Sequence, residues 1–176
     1  MSDIEAGWQG GQAITPEDLS SVGQSIPCSE LTLDPAVAKR LTAVTGIQFE
    51  PTDHSRKHLI ELVITGQPKQ LADDLQTLFG AMDSCSTKTA TTTGTAKLTV
   101  KEFAIPSLGD QQAAYVMTDT ADSAGAFYVR NAIVRFGSVA VALGLLEVVP
   151  TAQATPQISD ATFVKILKTA ADRLRT

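Results

Sequence analysis

Two histidines, His54 and His58, stand four residues apart with Asp53 beside the first. On a helix that spacing would put both rings on one face, as metal ligands can be. The stretch Glu50-Pro51-Thr52-Asp53-His54-Ser55 reads as a loop, however, and no His-Glu-x-x-His pattern accompanies it, so solvated histidines are expected. Serine, histidine, aspartate and cysteine are all present, yet no Gly-x-Ser-x-Gly turn presents a nucleophile. Cys28 and Cys85 have no nearby cation beyond Lys88, so neither reads as an activated thiolate. Gly109-Asp110 lacks the spaced oxygens of a calcium loop and reads as a turn. Gly10-Gly11 opens no strand–helix unit, so it forms no phosphate loop. No catalytic residue, metal ligand or cofactor is assigned, and the chain is not expected to be an enzyme.

The other chemistry on offer is cationic. Arg130 and Arg135 fall in one strand-like segment and, by parity, on its opposite faces. Arg135 shares a face with Phe127, Val129 and Ile133, and Arg130 with Tyr128, Val134 and Phe136. One face is expected to pack on helices. The other would line a concave surface suited to an apolar ligand with an acidic head, which makes both arginines candidate ligand-binding residues. The alternative is that one arginine snorkels to water or pairs with Glu147. Cys28 and Cys85 are compatible with one disulfide, for which the chain-entropy model gives about 4 kcal/mol. Two buried free thiols are the other reading.

These residues sit in a chain whose totals are ordinary. At 176 residues it is read as residues 1–14, a flexible leader, and 15–176, one domain. Such a domain buries roughly 70% of its unfolded surface and needs no metal to fold. With 43% apolar and only 5% aromatic residues, the core must be built from Val, Leu, Ile and Ala. A net charge of −5 argues against a phosphate-binding surface of clustered Lys and Arg, so no nucleic-acid partner is expected, and it disfavours an anionic membrane. The most apolar run, Val139 to Val149, is too short to span a bilayer. Met1 to Gln12 is polar and glycine-rich, without the apolar core of an export signal. The protein is therefore either cytosolic or an exported chain that starts after its signal.

Periodicity supplies the elements. Helices are expected over about 15–23 and 35–44, started by Thr15-Pro16 and Asp34-Pro35. A short strand at 47–50 and a second over Leu59 to Thr65 follow, then a helix over about 68–82 carrying Leu71, Leu75, Leu78, Phe79 and Met82 on one face, with Asp73 and Asp74 opposite. The threonine-rich 86–95 is a loop or an exposed edge strand. Four strands close behind one another, about 96–105, 112–119, 126–136 and 139–149, with Gly137-Ser138 as the sharpest turn, make an antiparallel meander. A helix capped by Ser159 ends the chain, with Phe163, Ile166, Leu167, Ala170 and Leu174 as its stripe. The expected class is α+β: an antiparallel sheet of about five strands with helices packed on one face.

The segment Phe103 to Ala114, and within it Pro106-Ser107-Leu108-Gly109-Asp110, resembles a turn found in actinobacterial, especially mycobacterial, exported lipoproteins and sensor-like domains. The strand Val129 to Gly137, the apolar strand Val139 to Val149, the amphipathic helix 159–175 and the early Cys28-Ser29-Glu30-Leu31 extend the likeness over about residues 26–175. Such domains are similar in style to the extracellular sensor domains of mycobacterial serine/threonine kinases. The resemblance implies an extracytoplasmic, secreted or lipid-anchored protein without catalysis. It implies ligand or partner binding at the cell envelope. The apolar residues on both faces of the last two strands make the leading expectation a binding module for an apolar or amphipathic ligand such as a lipid. The alternative is a protein-interaction or sensor domain without a small ligand, whose partner would be an envelope protein. A binding module requires a cavity between sheet and helices; an interaction domain requires an exposed apolar patch, with 87–95 as an edge for strand addition; a hydrolase would require a polar cleft.

Overall fold

Strand β8 (Val139–Val149) is an apolar run in which nearly every second residue is fully buried and those between are half-buried. A strand of this kind belongs where both faces of a sheet are covered, and β8 lies near the centre of the sheet. In the computed structural model, which describes residues 8–14, 43–53, 56–86, 90–91, 97–121, 125–150 and 155–175, the remaining strands are β1 (Trp8–Ile14), β2 (Ala43–Pro51), β3 (Lys57–Thr65), β4 (Ala90–Thr91), β5 (Lys97–Glu102), β6 (Gln111–Ala121) and β7 (Gly125–Phe136). Two helices, α1 (Pro68–Ser86) and α2 (Asp160–Arg173), complete the described elements.

The sheet runs β1-β2-β3-β8-β7-β6-β5-β4, antiparallel throughout. It therefore has seven strands of useful length plus the two-residue β4, rather than about five. The C-terminal meander β5–β8 forms as its turn residues dictate. Phe136 pairs with Val139 across Gly137-Ser138, and Gly137 takes φ +56°, a conformation that favours glycine. A second meander, β1–β3, joins the first where β3 pairs with β8 from Lys57↔Glu147 to Thr65↔Val139.

The helices cover opposite faces, which corrects the expectation that they share one. On one face Leu71, Leu75, Phe79 and Met82 of α1 pack with Ile64, Val100, Tyr115, Met117 and Ala140. On the other, Phe163, Ile166, Leu167 and Ala170 of α2 pack with Leu59, Val134, Val141, Leu143 and Leu145. Adjacent residues of β8 thus serve different layers: Ala140 faces α1 and Val141 faces α2. α2 begins as expected, with the Ser159 hydroxyl accepting from the Thr162 amide at 3.1 Å.

Other boundaries moved. Helix α1 continues to Ser86, so Cys85 lies in its last turn and not in a loop. Asp74, expected on the exposed face of α1, is only 7% exposed and accepts from Gln70 Nε2 at 3.1 Å. Trp8–Ile14, within the segment read as a leader, forms edge strand β1, and Trp8 packs against the α2 layer. Ala43 and Val44 open β2, so no helix runs through them. The rest of the two expected N-terminal helices, and most of the threonine-rich stretch, lie outside the described residues.

Candidate functional site

A cavity of about 240 Å³ opens on the α1 face. Its floor follows directly from register. Ile60, Gly144, Asn131 and Tyr115 form one row across β3, β8, β7 and β6, and Leu62, Ala142, Ile133 and Ala113 form the next. At the middle of each row β8 contributes its smallest side chains, Gly144 and Ala142, where the flanking strands carry larger ones. That leaves a trough, roofed by Leu78, Phe79 and Met82 of α1. The roof cannot sink into it, because α1 is moored over β5 and β6. Tyr115 Oη donates to Asp83 Oδ1 at 2.8 Å, and Gln111 Nε2 reaches the Ala72 carbonyl and Gln76 Oε1 at 3.3 Å each.

The cavity wall is almost wholly apolar. Its two polar side chains are Tyr115 and Asn131. Burial, then the hydrogen bond to Asp83, push the Tyr115 phenol far above its ordinary pKa, so it stays neutral. Asn131 is half-buried, and its Oδ1 lies 3.2 Å from where a Cβ at position 144 would stand. Glycine at 144 therefore makes room for the amide.

Neither candidate arginine lines this cavity. Arg130 lies on the α2 face, 3% exposed, where Nη1 donates to Glu147 Oε2 at 2.9 Å and Nε to Asp160 Oδ1 at 2.8 Å. The second oxygen of Glu147 accepts from the Gln157 and Ile158 amides at 3.0 and 3.1 Å. This network ties the sheet to the start of α2, the pairing alternative for Arg130. Arg135 is held at the sheet's end, its Nη1 donating to the Gly137 carbonyl at 2.8 Å and its Nε to Gln111 Oε1 at 3.1 Å.

The Pro106-Ser107-Leu108-Gly109-Asp110 turn proves to be a structural plug. Leu108 is buried in the α2 layer, and a Cβ at Gly109 would stand 2.4 Å from the Arg135 carbonyl. Asp110 Oδ2 accepts from the Gly137 amide at 2.7 Å, pinning the β7–β8 hairpin. Gln112 folds back, accepting from the Leu108 amide at 2.7 Å and donating to the Pro106 carbonyl at 2.7 Å.

The remaining candidates are not brought to the cavity. His58 lies within β3 at 3.4 Å from Gln48 Nε2, whereas His54, Cys28 and the Cys85 side chain lie outside the described residues. Among the described residues no three His, Cys, Asp or Glu side chains cluster as metal ligands would, and no helix is long and apolar enough to cross a membrane. The residues sequence reasoning missed are Asn131, Ala142 and Gly144. Their only signal was small or polar side chains inside otherwise apolar strands.

No protein-family model and no curated protein matches the chain. Solved structures do. The fold is similar to the extracellular domain of PknH from Mycobacterium tuberculosis, with a TM-score of 0.63 and 17% identity over 97% of this chain and 86% of that one. It is also similar to an uncharacterised protein of Mycobacterium smegmatis, an Rv0999 ortholog, with a TM-score of 0.54 and 12% identity over 99% of this chain and 93% of that one. At these identities the likeness is one of fold: a broad antiparallel sheet with its helices arranged in this way is shared with mycobacterial proteins.

Proposed function

We propose that this domain is a non-catalytic, extracytoplasmic sensor-like module that binds an apolar or amphipathic small molecule, lipids included, in the cavity beneath α1. The observation that carries the reading is the trough itself, a gap left open by Gly144 and Ala142 under a roof moored elsewhere. A concave, almost wholly apolar trough with two polar side chains is the usual form of a small-molecule site. Its volume falls a little below the usual range of about 300–1,000 Å³ for ligand pockets, which suits a small molecule or one end of a longer one. A wall with one neutral phenol and one amide lacks the convergent titratable groups that acid–base or nucleophilic catalysis needs.

Placement outside the cytoplasm draws on the likeness to the extracellular domain of PknH. A Cys28–Cys85 bridge would fit that setting and belongs to the same proposal. Native mass spectrometry of the full chain from an actinobacterial host tests both parts. The expected result is added mass that leaves on denaturation, and a deficit of two hydrogens that a thiol reductant restores. A bare mass, together with no uptake of medium-chain apolar probes, would refute the ligand reading and leave a sensor that works through a protein partner. Unmodified thiols would refute the bridge.

A further inference from the structure

The charge of the cavity wall restricts what it can hold. We infer that the occupant is electrically neutral and carries a single hydrogen-bonding group, a hydroxyl, carbonyl or amide, placed against the side chain of Asn131. This rests on the ligand reading above and specifies its chemistry.

Three observations carry it. First, no cation among the described residues lines the wall: Arg130 is committed to Glu147 and Asp160 on the other face of the sheet, and Arg135 to Gln111 and the Gly137 carbonyl at its end. An acid would have to be desolvated there without a counter-charge, which strongly disfavours it. Second, the acidic side chain that meets the Tyr115 hydroxyl is Asp83, which accepts from it at 2.8 Å. It would repel an anionic head, and being exposed and already engaged it offers little to a cationic one. Third, the Asn131 side-chain amide lines the cavity between the floor residues Gly144 and Tyr115, and no side-chain hydrogen bond occupies it among the described residues. An amide offers both donors and an acceptor, so it can serve a hydroxyl or a carbonyl equally.

Titration of the full chain with 1-octanol, octanoate and octylamine, followed by NMR at the Asn131 side-chain amide and the Gly144 backbone amide, separates the possibilities. Octanol is expected to bind at least about ten-fold more tightly than either charged probe. Asn131→Leu, which keeps the size and removes the polar atoms, is expected to lower octanol affinity about ten-fold. Octanoate or octylamine binding as well as octanol would overturn the neutral-ligand inference and leave the binding-module reading standing. Octanol affinity unchanged in Asn131→Leu would overturn the role of Asn131. No shift at Gly144 with any of the three probes would sink the cavity reading and the inference together.

Discussion

Arg130 and Glu147 are diagonal neighbours on β7 and β8, 2.9 Å apart and 3% and 2% exposed. Both oxygens of Glu147 are used, one by the guanidinium and one by two amides of the segment that leads into α2. Glu147→Ala would leave buried Arg130 with only the exposed Asp160 carboxylate and would strand those amides, so a loss of up to about 3–5 kcal/mol is expected. Replacing both residues, Arg130→Met with Glu147→Leu, should be milder than either single change to alanine. Urea unfolding midpoints check this; a double variant worse than both singles would contradict it.

Two glycines should respond oppositely to the same substitution. Gly109→Ala drives a methyl into the Arg135 carbonyl and is expected to destabilise by about 1–3 kcal/mol. Gly80 is exposed in α1 with nothing near its would-be Cβ, so Gly80→Ala should stabilise by about 0.5–1 kcal/mol. Thermal melts of the two variants decide it, the signs mattering more than the sizes.

Filling the trough should separate binding from folding. Ala142→Leu projects into the cavity beside Ile133 and Leu62. It should block probe uptake while the melting temperature stays level or rises, because apolar volume is added where a gap exists. Uptake that survives this change would place the ligand elsewhere.

Tyr115 makes stability fall in alkali. Its phenol has a raised pKa in the folded state, from burial first and the Asp83 hydrogen bond second, against about 10 in the unfolded chain. The folded state therefore holds this proton more tightly, so its contribution is complete below about pH 10 and is lost as pH rises beyond it. Tyr115→Phe should be about 1 kcal/mol less stable at neutral pH and show a shallower decline above pH 10 in denaturant unfolding. Equal slopes for both proteins would show that the hydroxyl plays no such part.

Part of the candidate site was legible along the chain. The apolar parity of Phe127–Phe136 and Val139–Val149 showed that both faces of these strands are apolar, although helices were expected on only one of them. Reading one of those sides as concave anticipated a cavity, but assigned it to the arginines. Pairing with Glu147 was legible as the alternative, but which arginine would take it depended on the hairpin register that sets Glu147 diagonal to Arg130, while the contacts of Arg135 are made at the hairpin's end.

What the sequence by itself determined are the features decided within a few residues. Ser159 and its stripe fix α2, the Leu71–Met82 spacing fixes the buried face of α1, and Gly137-Ser138 sets the register of the final hairpin. Caps, periodicity and turn dihedrals are local energies, so they can be read locally. Tertiary structure alone decided the β3–β8 seam, the assignment of α1 and α2 to opposite faces, and the row Ile60–Gly144–Asn131–Tyr115. That row assembles residues from four strands, and Ile60 is far from the others in sequence. A glycine becomes a cavity floor only when distant strands supply the larger walls and a helix moored to the last of them, β6, supplies the roof.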